Sequence, residues 1–322
     1  MMLLMFLKMF IFMNSVFIHI QLDKKILAVT LLALMGFGRS IPVYSAPITF
    51  NTALPVAEGQ FLARGQFIVN QSGNDPSGVD RNRAASTTVS VLAYGADSKL
   101  ALFGILPYQN NTLKLTVGGQ RVTRSATGFG DLTVFGRYTV VKRDWPGRNF
   151  RVAPFAGIKA PTGNDDESDN FGRLPPAVQV GSGSWDPLAG VVLTYQTLAY
   201  QLDGQFSYQI KNEANGFEAG DVARLDASLQ YRLLPKKFTS GGLPDFLYAV
   251  LETNLINQQK NRVNGNEDDN SGGTRLFLAL GLQYVTKRWI AETSLQVPVS
   301  QNLNGNALEN DYIARLSVRF NF

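Results

Sequence analysis

The stretch AYQLDGQFSYQIK, residues 199–211, presents two different surfaces along one extended chain. Tyr200, Leu202, Phe206, Tyr208 and Ile210 fall on one side, and Gln201, Asp203, Gln205, Ser207, Gln209 and Lys211 on the other. Successive side chains of a strand point to opposite faces, so this alternation describes a strand that is greasy on one face and polar on the other. DVARLDASLQYRLL (221–234) and TRLFLALGLQY (274–284) repeat it. So does the chain's end, YIARLSVRFNF (312–322), where only Ile313 breaks the pattern. Segments of about ten alternating residues are the mark of a membrane-spanning β-barrel, whereas soluble strands average ~5–6 residues. A soluble β-sandwich is the competing fold, but its strands are shorter and its turns recur every ~8–12 residues. The pattern predicts an all-β transmembrane antiparallel barrel.

Twelve such segments are expected, near 58–70, 84–95, 98–107, 128–142, 149–160, 186–197, 199–211, 221–234, 246–258, 274–286, 289–299 and 310–322. The second and third alternate least well. Residues 113–123 (LKLTVGGQRVT) read as a hairpin belonging to a long loop. Links between segments alternate in length: short at 96–97, 143–148, 198 and 287–288, long and polar at 71–83, 108–127, 161–185, 212–220, 259–273 and 300–309. The link 235–245 is long for its side. Short periplasmic turns and long external loops are expected of such barrels, so the first strand runs outward and the last returns. Closure onto the first strand explains how the last one reaches the chain's end, since a closed barrel leaves no unpaired edge in lipid. On this register Glu292 and Arg319 are lumen-facing neighbours, and Arg64 lies across the seam from Arg315.

The N-terminus supplies the route. Lys24 and Lys25 precede the apolar run Ile26–Met35, and small residues follow at Ser45 and Ala46. This is the order of a secretory signal peptide over residues 1–45, with cleavage before Ala46; a signal anchor is the alternative, and Met13 is a second candidate start. The run is shorter than the ~20 apolar residues of a membrane helix. Removing 1–45 takes four of the 30 basic and one of the 25 acidic residues, leaving +2, so the basicity of the full chain does not imply nucleic acid. The chain has no cysteine, so no disulfide holds it.

The sole histidine is His19, inside the signal. The rest therefore has neither imidazole nor thiol, which removes Ser-His and Cys-His nucleophile pairs and histidine metal sites. Two acidic runs, Asp165–Asp166–Glu167–Asp169 and Glu267–Asp268–Asp269, lack the spacing of a calcium loop and read as solvated external loops. GFGDLTVFG lacks the strand-to-helix context of a phosphate loop, and its glycines read as bends. No catalytic residue, cofactor or metal is implied. The informative set is charged and lies opposite the greasy faces: Arg64, Asp131, Arg137, Arg151, Lys159, Asp203, Arg224, Asp226, Arg232, Glu252, Arg275, Glu292, Arg315 and Arg319. Arg or Lys facing mid-bilayer costs roughly 2–4 kcal/mol, so these residues are assigned to the lumen. They either knit the interior as ion pairs or border a solute path. Twelve strands lie between filled barrels of ~8 and open ones of ~16–18.

TGFGDLTVFGRY (127–138), PFAGIKAPTGNDD (154–166) and GSGSWDP (181–187) resemble the outer-membrane transporters named for the meta-cleavage pathway of phenol degradation. The aromatic last residue, Phe322, is similar to the signal read by the outer-membrane assembly machinery. The resemblance implies a location in the outer membrane of a Gram-negative bacterium, with lipid and lipopolysaccharide as surroundings. It also implies passage of aromatic or other hydrophobic small molecules, with no binding residues to carry over. The expectation is a passive uptake channel. The alternatives are a non-conducting structural or adhesive barrel acting through its loops, and a carboxylate-based enzyme for which no substrate suggests itself.

Overall fold

The computed structural model describes residues 45–236 and 244–322, and of the leader expected over residues 1–45 all but Ser45 lies outside them. Twelve antiparallel strands close into one barrel: β1 Phe61–Gly73, β2 Asn82–Gly95, β3 Leu100–Val117, β4, β5 Arg148–Ala160, β6 Asp186–Thr197, β7 Tyr200–Gln209, β8 Val222–Leu234, β9 Phe246–Gln258, β10 Gly273–Val285, β11 Trp289–Leu303 and β12 Glu309–Asn321. β4 runs in three pieces, Gln120–Phe129, Leu132–Tyr138 and Val141–Trp145. The first pairs only with β3, the second with both β3 and β5, and the third only with β5. Three short ladders lie in the loops, and the described residues contain no helix.

Each strand joins its sequence neighbour, and β1 closes on β12. The closure reaches the last residue: Phe61 N–H donates to the Phe322 carbonyl at 2.7 Å, and Phe322 N–H to the Phe61 carbonyl at 2.9 Å. Phe61 stacks on Phe322 and packs at a tilt against Tyr94, with centroids 5.9 and 4.8 Å apart. Leu102, Leu202, Phe206, Leu225, Leu280 and Leu295 belong to an exposed outer belt. Tyr284 and Trp289, 5.6 Å apart, join Phe61 and Tyr94 in an aromatic girdle at the short-turn end. An apolar belt with aromatic rims is the outer surface of a bacterial outer-membrane barrel.

Two expectations need correction. Residues 108–127 are not a loop. β3 and the first piece of β4 continue the wall through them and project beyond it, turning at Gly118–Gly119. Both glycines have positive φ, 57° and 80°, as a two-residue hairpin turn of matching twist requires. The hairpin is the wall itself, because the alternation of 113–123 continues that of β3 in phase. The second correction is at the seam. Arg64 pairs across it with Arg319, and Ile68, not Arg64, faces Arg315. The Phe61–Phe322 pairing sets this register, three residues inward on each strand. Glu292 faces Ser317 and sits one diagonal step from Arg319.

Two arginines side by side need a carboxylate, and Glu292 supplies it. Its Oε1 lies 2.5 Å from Arg64 Nη2, and it also accepts Ser317 Oγ–H at 2.6 Å and Gln283 Nε2–H at 2.7 Å. The Glu292 side chain is 1% exposed. Breaking a buried pair from one side costs about 3–5 kcal/mol, because the partner charge stays behind. Glu292→Gln should therefore lower the temperature of the heat-modifiable gel shift by much more than Arg64→Gln added to it does. Simple additivity of the two changes would show that they are uncoupled.

Candidate functional site

Lumen-facing side chains of a barrel this size can fill the bore, but here part of the bore is filled by chain. Residues 45–58, SAPITFNTALPVAE, precede the first strand and rise inside the barrel. Ser45 lies near the short-turn end, its Oγ donating to Gln201 at 3.0 Å. The segment climbs to Ile48–Thr49 at mid-depth and returns to the same end, where Glu58 bridges Gly95. Ala46, Ile48, Ala53 and Val56 are buried.

A segment without a neighbouring strand has no ladder for its amides, and buried amides must be paired. Lumen side chains take them. The Glu252 carboxylate accepts Ile48 N–H at 2.7 Å and Thr49 N–H at 3.0 Å, one per oxygen. Gln205 accepts Asn51 N–H at 3.3 Å, and Thr194 Oγ1 accepts Ala53 N–H at 2.8 Å. Gln283 accepts Ala46 N–H and returns a bond to the Ala46 carbonyl at 3.0 Å. Arginines take the carbonyls. Arg64 donates to Ile48 O at 2.8 Å, while Arg137 donates to Thr52 O and, at 2.6 Å, to Leu54 O. Asp203 accepts the hydroxyls of Thr52 and Thr194.

The face of the bore beside this segment is apolar. Phe103, Phe135 and Phe155 are buried on strands β3, β4 and β5, with Ala93, Ala101, Ala153 and Val192, and Ala53 and Val56 of the segment pack on them. Phe103 stacks on Phe135 with centroids 4.6 Å apart and planes 2° from parallel. The Arg137 guanidinium stands over the Phe103 ring at 4.8 Å, so one cation joins the aromatic wall to the inserted segment. Between segment and wall lies a cavity of about 330 Å³. Arg64, Arg137, Arg224 and Arg319 border it, together with Phe50, Phe103, Ile105 and Phe135.

The other candidate residues divide by depth. Asp226 accepts from Arg224 at 3.0 Å and from Asn254 at 2.8 Å, and Arg315 donates to Gln296 at 2.5 Å. Arg275 is half-buried near the loop-side end, and its Nε has no hydrogen-bond partner among the described residues. Toward the short turns, Arg151 pairs with Asp144 at 2.5 Å, and Arg232 lies 5.9 Å from the Phe246 ring. At the loop-side mouth Lys159 lies 2.8 Å from both Asp131 and Asp186, and Lys211 3.2 Å from Asp186.

That mouth is where the three motif segments meet. The Asp131 carboxylate accepts Gly163 N–H at 3.0 Å, Ser182 N–H at 3.0 Å and Ser182 Oγ–H at 2.7 Å. A Cβ on Gly181 would stand 2.2 Å from Gly163 O, so the two backbones touch only because both residues are glycine. This latch folds residues 161–185 over the mouth, where Leu174, Val178 and Val180 pack on Leu113 and Ala126 of the projecting hairpin. The acidic runs are engaged by cations: Asp169 with Arg124 at 2.8 Å, Asp165 with Arg173 at 3.7 Å, Asp269 with Lys260 at 2.5 Å. In a further loop, burial opposes the charge of Asp75, but bonds from Arg81 and Ser77 outweigh it and hold the carboxyl well below the usual carboxylate range.

The inserted segment was not anticipated from the sequence. The available signal was fifteen residues, 46–60, with two prolines and no alternation, lying between the leader and the first strand. Glu252 is the contact that fixes its apex. Glu252→Gln replaces one accepting oxygen with an amide donor facing a backbone N–H. That change should cost about 1–3 kcal/mol of seating and raise single-channel conductance in planar bilayers. Unchanged conductance would mean that the segment does not limit passage.

A family model described as "Putative MetA-pathway of phenol degradation" matches residues 65–307. No curated protein matches the chain in sequence. Among solved structures, an outer membrane channel from Pseudomonas putida F1 is similar at a TM-score of 0.63 and 13% identity, covering 87% of this chain and 100% of that one. The translocator domain of the autotransporter NalP from Neisseria meningitidis is similar at 0.40 and 14%, covering 82% and 88%. The CymD monoaromatic hydrocarbon channel is similar at 0.38 and 11%, covering 83% and 89%.

Proposed function

The chain belongs to the phenol-degradation MetA-pathway family, and from that premise we propose that it is a passive outer-membrane channel for small hydrophobic or aromatic compounds. The observation that carries the reading is the aromatic wall of Phe103, Phe135 and Phe155 inside the bore. The lumen of an aqueous pore is polar, because water and ions need partners along it. A wall of stacked rings beside a cavity of about 330 Å³ instead suits a solute that gains by leaving water.

The fourteen charged residues divide among three roles in this reading. Asp203, Glu252, Glu292, Asp226 and Arg315 hold the segment and the wall in place, and Asp131, Lys159, Arg151, Arg232 and Arg275 organise the two mouths. Arg64, Arg137, Arg224 and Arg319 border the solute. We read the protein as a channel rather than an enzyme. The leader through residue 45 directs export, and the strand ending at Phe322 is offered to the assembly machinery.

Two measurements test the proposal. In proteoliposomes, phenyl β-glucoside should enter faster than methyl β-glucoside, both being neutral and too polar to cross lipid unaided. If neither enters, even with Glu252→Gln, the barrel is a structural one. For orientation, cysteines placed at Asp166 and Asp269, on exposed parts of the long loops, should react with an impermeant thiol reagent on intact cells, and one at Lys287 should not. The reverse pattern would invert the barrel.

A further inference from the structure

The lumen cavity has an uneven charge. Four arginines border it, Arg64, Arg137, Arg224 and Arg319, and among the described residues no aspartate or glutamate does. The carboxylates of the bore are turned to other tasks. Glu252 is saturated by two backbone amides and Ser228, Asp203 by Thr52, Thr194 and Gln201, and Asp226 by Asn254 and Gln205 besides Arg224. Glu292 serves Arg64 from behind, along the seam. Buried Nε atoms of Arg64 and Arg224 have no hydrogen-bond partner among the described residues. The rest of the lining includes Phe103, Phe135 and Ile105 of the wall and Phe50 of the segment, with Arg137 over the Phe103 ring.

A guanidinium fork binds carboxylate and sulfonate oxygens in pairs, and it does so most strongly away from bulk water. A ring packs on the apolar side, and a cavity of about 150 Å³ already holds benzene. We propose that this cavity is a binding site for aromatic anions, compounds with one ring and one carboxylate or comparable oxyanion, and that the channel therefore prefers them to neutral or cationic aromatics of the same size. The ring lies against Phe103 and Phe135, and the anionic group faces Arg224 and Arg64. A cation would meet four guanidinium groups at the lining, two of them already paired with Glu292 and Asp226, and no carboxylate directly at the lining. An anion without a ring would leave the apolar wall wet.

The use of the site in uptake rests on the channel reading, but the site itself is testable without transport. The full chain, purified in detergent, is titrated calorimetrically with benzenesulfonate, phenyltrimethylammonium and methanesulfonate, whose charges do not change with pH. Benzenesulfonate should bind at least ten-fold tighter than either of the others. Arg224→Gln should weaken it five-fold or more and Arg224→Lys less, with heat-modifiable gel mobility confirming the folded barrel. Equal binding of the cation, equal binding of methanesulfonate, or an unaltered affinity in folded Arg224→Gln would each overturn the proposal. The ligand panel on the unaltered protein decides the matter even if the variants do not fold. Binding without entry of phenyl β-glucoside would remove the channel reading and leave the site. Entry without preference for the sulfonate would do the opposite.

Discussion

Backbone amides in the membrane-spanning wall and in the buried bore must find partners away from water, and the architecture follows from how that is met in each. In the wall the answer is closure: the ladder runs round twelve strands and ends with Phe61 and Phe322 exchanging hydrogen bonds. In the bore there is no strand beside residues 45–58, and the answer is side chains. Glu252, Gln205, Thr194 and Gln283 accept the amides that a ladder would have taken, while Arg64 and Arg137 donate to the carbonyls. The polar faces of β6 to β10 are thus shaped by the segment they hold as much as by water.

The wall was legible in the sequence because lipid imposes a strict rule on one face of each strand. Leu225, Leu280 and Leu295 sit where alternation puts them, and the charged residues lie opposite. The rule weakened on residues 84–107, and the structure supplies the reason. There Ala93, Ala101, Phe103 and Ile105 face inward, so both faces are apolar and alternation loses contrast. Poor alternation within a chain of otherwise clean strands was itself the trace of an apolar lumen wall. Residues 45–58 gave no periodic signal at all, since their partners are side chains scattered over 200 positions of sequence. The seam register was misplaced for a different reason. Sequence shows that the ends meet, but only the Phe61–Phe322 pair fixes the offset.

The three motif segments gather at the loop-side mouth. The glycines of GFGD, PTGN and GSGS let three backbones touch around Asp131, which then reaches the Gly163 and Ser182 amides and Lys159 on the other two. These residues hold residues 161–185 across the mouth. What the three stretches have in common is therefore a latch in the architecture, and the first two also supply part of the lumen wall, Phe135 and Arg137 from one and Phe155 from the other.

The inserted segment enters and leaves through the same end of the barrel, and it is joined to β1 by only a few residues. Its encounter with the bore is thus intramolecular, at an effective concentration that for short flexible tethers is of order millimolar. Bonds that are individually weak then suffice to keep it seated. Displacement by a solute is undone at a rate set by the tether alone, unaffected by how many copies of the protein the membrane holds. A plug of this kind resets itself.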